Sequence, residues 1–316
     1  MARRPLLLLV NPASGGKPAA PPPLAAEPEA LEPGALLAAL RERGLEVELH
    51  VLEADDDPAA LAAGAVRDGR DVVVAGGDGT VAPVASALRG TEATLGILAM
   101  GSWNNVARGS GVPTELEPAL DVIVAGRAVA IDVGLAWHPA AGAGSRGEPP
   151  DDATPFFEAA GVGLDAAAFS AAQVGERRGT WQALRMAWRA LRRRRSAMRL
   201  VVDGRELRVR SPAVTACNGP YHGAGFALAP EADPTDGMLH VVVFAGMSRL
   251  EVIRHFASVA RGRPRREPRV SVVRGSRVTV HGVRRILPAH ADGRSIGLTP
   301  VAFAVQPGAL RVFSRR

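Results

Sequence analysis

The residues best suited to chemistry stand close together in Asp71-Val-Val-Val-Ala-Gly-Gly-Asp-Gly-Thr80. The apolar run Val72 to Val74 suits a strand covered on both faces, and Gly76, Gly77 and Gly79 follow at once. Glycines let a chain turn sharply and bring bare backbone N–H groups up to a ligand. A helix opening at Thr80 adds the positive end of its dipole, and amides converging at such a spot bind phosphate. Asp78 lies among these donors, where a carboxylate repels phosphate unless a cation or a reacting hydroxyl stands between them. The expectation is a nucleotide site with chemistry attached. The plain alternative is a tight strand-to-helix turn with an incidental aspartate.

Two more strand-to-loop transitions are of the same kind. A buried strand over Pro5 to Val10 runs into Asn11-Pro12-Ala13-Ser14-Gly15-Gly16-Lys17, whose Ser14 and Lys17 could touch phosphate. A strand over Thr94 to Met100 runs into Gly101-Ser102-Trp103-Asn104-Asn105. Helices over Ala35 to Arg43, Pro58 to Arg67 and Leu116 to Ala125, with a strand over Leu45 to Leu52, complete a βαβ alternation. In open α/β sheets ligands bind at the carboxyl ends of the strands. Three polar loops on one such edge mean more than any one of them. Pro18 to Pro33 reads as an extended, mobile insertion.

From Ala128 the pattern changes to short alternating strands, which signals a separate β-rich domain. Asp203-Gly204 between two such strands is a hairpin signal. One helix interrupts the region, from Asp165 to Arg195. Its Trp181, Leu184, Ala187, Trp188 and Leu191 share a face opposite Arg185, Arg189 and Arg193. Two readings stand: a helix capping the β-domain with a solvated basic face, or a membrane-surface element with Arg192 to Arg195 on anionic headgroups.

At 316 residues and 47% hydrophobic, the chain can bury one large core or two moderate ones. A net charge of +6 favours anionic partners such as nucleotides or acidic lipid headgroups. Nucleic acid is disfavoured, because aromatics are only 4% of the chain and do not interleave with the basic clusters. A single cysteine, Cys217, allows no internal disulfide and fits a reducing compartment. No apolar run approaches the roughly twenty residues of a membrane span, so a soluble or peripheral protein is expected.

Several separated segments resemble the diacylglycerol kinase catalytic-domain family, which includes bacterial lipid kinases and sphingosine kinases. They are Asn11-Pro12-Ala13-Ser14-Gly15, Gly76-Gly77-Asp78-Gly79-Thr80, Gly101-Ser102-Trp103-Asn104, Ala160-Gly161-Val162-Gly163-Leu164-Asp165-Ala166, and Asn218-Gly219-Pro220-Tyr221-His222-Gly223. Asp233-Pro234-Thr235-Asp236-Gly237 and Ala291-Asp292-Gly293 follow in the same order. The resemblance implies a phosphofructokinase-like three-layer α/β domain over residues 1–127, to which 302–316 return. It also implies a β-sandwich domain over 128–301 and an active site in the cleft between them. It implies ATP as co-substrate, held by Asn11, Ser14, Gly76, Gly77, Asp78, Gly79, Thr80, Gly101, Ser102 and Asn104. Mg²⁺ is placed on Asp233, Asp236 and the carbonyl of Met238. Asp165 falls where sphingosine kinases contact the lipid headgroup, and Asp78 and Asp292 are candidate bases.

The expected reaction is phosphorylation of a hydroxyl of diacylglycerol or a related lipid at the cytoplasmic membrane face. Anionic phospholipid is a possible partner, nucleic acid is not, and dimerisation is left open. Departures from the family pattern bear on turnover. Where bacterial lipid kinases carry a catalytic Glu after Asp-Gly, Arg294 stands. Ala82-Pro83 replace an Asn-Glu pair, Asn105 an aspartate and Leu52 a threonine. The rival expectations are a nucleotide- or lipid-binding protein without turnover and a soluble kinase of the NAD kinase type.

Overall fold

The computed structural model describes residues 3–14, 32–140, 147–164, 166, 196–260 and 267–316. Lys17, Asp165 and the basic helix expected up to Arg195 lie outside them. The chain divides into two units, Met1–Asp132 with Pro307–Arg316, and Val133–Gln306.

In the first unit β1 (Leu6–Val10), β2 (Val47–Val51), β3 (Asp71–Gly76) and β4 (Thr94–Ala99) form a parallel sheet in the order β2-β1-β3-β4. The C-terminal part of a long strand, β18 (Val301–Phe313), pairs parallel with the free edge of β4, Arg311 opposite Thr94. Leu6, Leu8 and Val10 pack with Val73, Ala75 and Leu98 against Leu36 and Leu40 of α1 (Pro33–Glu42) and Leu120 and Ile123 of α5 (Leu116–Ala125). Leu7, Leu9, Val72 and Val74 point the other way and are also buried. On that face lie α2 (Pro58–Arg67) and α3 (Asp78–Leu88). Both faces are covered, which is why these strands read as unbroken apolar runs.

Local chemistry sets the helix ends. Pro58 occupies the first turn of α2 and Asp57 caps it, its Oδ1 accepting the Ala59 N–H at 2.9 Å. Gly126 closes α5 in the left-handed conformation, φ 67°. The helix expected to open at Thr80 starts two residues earlier, because the Gly77 carbonyl already accepts the Thr80 and Val81 amides. From β1 the chain goes to β2, then returns past β1 to β3. The carboxyl ends of β1 and β3 therefore flank the point where strand order reverses, the usual ligand position in such sheets.

The second unit is a β-sandwich. Its strands are β5 (Ala128–Trp137), which begins in the first unit, β6 (Thr154–Phe156), β7 (Ala159–Gly163), β8 (Ser196–Val202), β9 (Arg205–Ser211) and β10 (Ala213–Cys217). They continue as β11 (Tyr221–His222), β12 (Phe226–Ala227), β13 (Leu239–Phe244), β14 (Val270–Gly275), β15 (Arg277–Gly282), β16 (Pro288–Ala291) and β17 (Arg294–Leu298). One layer runs from the N-terminal part of β18 through β15 and β8 to β9. The other is antiparallel, in the order β14-β13-β10-β7-β16-β17. Met198, Leu200, Val278, Val280 and Phe303 of the first layer meet Val162, Val214, Val241, Val243 and Ala289 of the second.

A helix over Arg249–Ala260, α6, packs Val252 in a further cluster with Val242 and Phe244. Two hairpins turn on Asp-Gly pairs with both residues left-handed: Asp203 and Gly204 at φ 47° and 85°, Asp292 and Gly293 at 43° and 74°. That conformation is the type I′ requirement, and Asp-Gly meets it with least strain.

Candidate functional site

In the first unit the loops after β1, β3 and β4 are fastened to one another. The Asn11 side chain uses both ends: Oδ1 accepts the Ala13 N–H at 3.0 Å, and Nδ2 donates to Thr80 Oγ1 at 2.8 Å. Thr80 is buried, so its hydroxyl ties two loops together. The loops after β3 and β4 meet at backbone level. A Cβ on Gly101 would lie 2.5 Å from the Gly77 Cα, and one on Gly77 would lie 3.0 Å from the Gly101 Cα. The first distance excludes a side chain unless the loops move apart, and the second requires Gly101 to give way by a few tenths of an ångström. The glycine at 77 thus serves close approach, since its own φ of −93° suits any residue.

Asn104, left-handed at φ 50°, grips Gly101 from both sides, accepting its N–H at 2.9 Å and donating to its carbonyl at 2.7 Å. At Gly79 a Cβ would meet nothing within 4 Å, which leaves open space over the first turn of α3. With the Thr80 and Val81 amides taken by the Gly77 carbonyl, the glycine amides ahead of them are the donors this rim can offer to an anion. Ser102 is exposed beside the Gly101 loop, and Ser14 closes a turn on the Asn11 carbonyl at 3.1 Å. The structure therefore brings Asn11, Ser14, Gly76, Gly77, Asp78, Gly79, Thr80, Gly101, Ser102 and Asn104 to one sheet edge.

Asp78 does something its sequence position does not announce. Its Oδ2 accepts the Asn105 N–H and its Oδ1 the Val106 N–H, each at 3.0 Å. Both oxygens therefore hold the start of α4 (Asn105–Gly109). With both oxygens on backbone amides, this carboxylate is committed to holding that segment against α3.

The second unit gathers a different set. Asp292 is fastened by three amides in a row: Phe157 donates to Oδ2 at 2.7 Å, Glu158 and Ala159 to Oδ1 at 3.0 and 3.1 Å. Withdrawal from water and the neighbouring Glu158 carboxylate nevertheless push its pKa up to about 7, against the pull of those amides. Glu158, with 11% of its side chain exposed, accepts the Gly223 N–H at 3.1 Å and lies 3.6 Å from His222 Nδ1. The His222 ring stacks on His290 with centroids 5.5 Å apart, and Gly293 donates to His290 Nδ1 at 3.3 Å. Asn218 donates from its backbone to the Glu158 carbonyl at 2.9 Å and from Nδ2 to the Phe157 carbonyl at 3.4 Å. Arg294 is exposed. Sequence reading missed Glu158, His222 and His290 as one group; the only local hint was an acid inside the otherwise apolar segment Phe156-Phe157-Glu158-Ala159-Ala160.

The residues expected to hold Mg²⁺ do not fit a divalent cation as they stand. Asp236 Oδ2 is paired with Arg274 at 2.6 Å and shared with His240 at 3.2 Å, while Oδ1 takes the Met238 amide at 2.9 Å. Asp233 Oδ1 is turned onto Thr235, accepting from N at 3.0 Å and Oγ1 at 2.7 Å. A guanidinium already neutralises the turn, and the described residues contain no cluster of three His, Cys, Asp or Glu that could hold a metal.

Residues 5–136 match the diacylglycerol kinase catalytic domain, and residues 159–314 match the YegS C-terminal NAD kinase beta sandwich-like domain. A diacylglycerol kinase of Mycobacterium tuberculosis is 30% identical over 290 residues, covering 89% of this chain and 88% of that protein. A protein described as "Probable lipid kinase YegS-like" from Cronobacter sakazakii is 31% identical over 225 residues, 68% of this chain and 70% of its own length. Crystal structures of a diacylglycerol kinase and a putative diacylglycerol kinase from Bacillus anthracis share the fold, with TM-scores of 0.70 and 0.71. Each covers 99% of this chain and 97% of its own, at 16% and 18% identity. With a relative of such identity spanning nearly nine-tenths of both sequences, the chain belongs to the diacylglycerol kinase catalytic-domain family of kinases.

Proposed function

We propose that the protein is an ATP-dependent lipid kinase that moves the γ-phosphoryl group of ATP to a hydroxyl of diacylglycerol or a related lipid. The observation that carries this reading is the fastening of three polar turns, through Asn11–Thr80 and Gly77–Gly101, into one rim of backbone donors. The Gly77 and Gly79 amides at the start of α3 would hold the phosphates, with the Ser102 hydroxyl beside them. In phosphoryl transfer the acceptor oxygen bonds to the γ-phosphorus, the bridging bond to ADP breaks, and the hydroxyl proton passes to a base. Asp292 is the carboxylate suited to that proton, because its pKa near 7 matches neutral pH. Asp78 is assigned to positioning α4 instead.

A lipid acceptor places the reaction at a membrane surface, the cytoplasmic face being the one with ATP. Among the described residues no helix is long and apolar enough to cross a membrane. Mg²⁺ accompanies ATP in kinase chemistry in general, but no step is assigned here to an ion on Asp233 or Asp236. A second reading, binding without turnover, is favoured by Arg294 standing where a catalytic glutamate is expected. Radiolabelled ATP with mixed lipid vesicles tests the two, the product being identified by mass spectrometry. A labelled phospholipid supports the kinase. Nucleotide-dependent thermal stabilisation with no phospholipid across a broad panel supports the silent protein, and product from NAD without vesicles would instead indicate an NAD kinase-type enzyme.

A further inference from the structure

The family places a catalytic glutamate directly after the Asp-Gly turn, and Arg294 leaves that position without a carboxylate. A carboxylate nevertheless stands at the turn, delivered from another strand. The Asp292 amide donates to the Ala159 carbonyl at 2.9 Å, and Ala291 pairs with Ala160, so the end of β16 lies against the entry to β7. Glu158 is the residue immediately before β7. Its backbone N–H holds Asp292 Oδ1 at 3.0 Å, and its side chain is kept largely from water between the Gly223 amide and His222. We propose that Glu158 and Asp292 form one proton-accepting centre, Glu158 supplying from the entry of β7 the second carboxylate that the Asp-Gly-Arg turn lacks. The proposal rests on the lipid kinase reading above.

The other Asp-Gly hairpin shows what the turn does without such a neighbour. Asp203 also takes three donors, from Ser276 N and Oγ at 3.0 Å each and Arg277 N at 2.9 Å, and it closes an exposed loop. Its partners are two amides and a hydroxyl, and its role is that of a staple. At Asp292 the same staple is joined by a second carboxylate and two stacked histidines, a combination that folding a hairpin does not require. When both carboxylates are ionised the pair carries two negative charges, which disfavour each other at short range in a partly buried site. Taking up the acceptor's hydroxyl proton relieves that repulsion as the new O–P bond forms. His222 from β11 and His290 from β16 stand beside the pair, while Arg294 at the start of β17 is exposed.

The test uses the full chain, with Glu158→Gln, Asp292→Asn and the double change Glu158→Gln with Arg294→Glu. Glutamine can still accept the Gly223 N–H, so the fold is expected to persist, checked by unchanged thermal stabilisation with ATP. Rates are measured from pH 5.5 to 9 on vesicles of phosphatidylglycerol carrying diacylglycerol. Glu158→Gln is expected to lower kcat by roughly 10²- to 10⁴-fold, the usual worth of a general base. It should also move the limb of the pH profile to lower pH, and Arg294→Glu should recover at least tenfold of the loss. In parallel, the Asp292 carboxyl carbon is titrated by NMR, assigned by its loss in Asp292→Asn. Its midpoint should fall in Glu158→Gln, which shows that the two carboxylates interact; the loss of kcat and its recovery by Arg294→Glu are what a purely structural Glu158 does not give. Product formation by Glu158→Gln within threefold of the unaltered chain, or an unmoved midpoint, overturns the assignment alone. An unaltered chain that yields no phosphorylated lipid from any acceptor overturns the kinase reading, and this assignment with it.

Discussion

Asp292→Asn should remove a slope from the pH dependence of stability. In the folded chain this carboxyl holds its proton to about pH 7, while its ordinary value is 3.8. Between those values the unfolded chain binds fewer protons than the folded one, so stability falls as pH rises. The cost is absent below pH 4 and complete above pH 7. A difference of about three pKa units at about 1.4 kcal/mol each gives a total on the order of 4 kcal/mol. Asparagine has no such proton. It presents one acceptor oxygen to amides that now share two, a constant loss of about 1–2 kcal/mol at every pH. The variant should therefore be the less stable protein at about pH 3.5 and the more stable one at about pH 8. Urea denaturation at four pH values between these limits measures the crossover. Two curves that stay parallel across the range would refute the reasoning.

Gly101→Ala forces a methyl to within 2.5 Å of the Gly77 Cα and should cost about 1–3 kcal/mol in overpacking, with loss of thermal stabilisation by ATP; retained nucleotide response would show that the loops can separate freely. Asp78→Asn replaces one acceptor of an α4 amide with a donor. It should destabilise the first unit by about 1–3 kcal/mol and raise KM for ATP more than it lowers kcat, whereas a fall in kcat alone would return Asp78 to the chemistry. Arg274→Ala uncovers the Asp236 carboxylate and should make the melting temperature rise with millimolar Mg²⁺ when that of the unaltered chain does not; equal responses would mean that Arg274 does not compete with a cation.

The parts of the fold that were legible in the sequence are those specified locally. The helices Pro58–Arg67 and Leu116–Ala125 lie where the apolar spacing, a proline start or a glycine stop puts them, and the Asp203-Gly204 turn follows from its own φ requirement. The helix Arg249–Ala260 went unread although it carries a capping box. Ser248 accepts the Glu251 N–H at 3.3 Å, and Glu251 accepts the Ser248 N–H at 2.6 Å, a Ser-x-x-Glu signal visible in the sequence. The remaining differences are non-local. That Asn11 spends its carboxamide on Thr80, that Asp78 faces α4 and that Arg274 covers Asp236 depend on strand order and turn geometry, which residue types do not state. Glu158 meets Asp292 only because β7 and β16 are neighbours, with most of the second unit's sequence between them.

The long strand Val301–Phe313 has a consequence for how the protein is made. Leu310, Val312 and Phe313 are buried in the first unit, and Ser314 Oγ donates to the Ser110 carbonyl at 2.9 Å. The ribosome must produce all of Val133–Gln306 before those residues exist, roughly ten to thirty-five seconds at bacterial elongation rates. Throughout that interval the outer edge of β4 waits without its neighbour, an open template for a strand of some other nascent chain. Maturation of the first unit is thus held back until the second has been synthesised, the reverse of the N-to-C order in which tandem domains ordinarily fold.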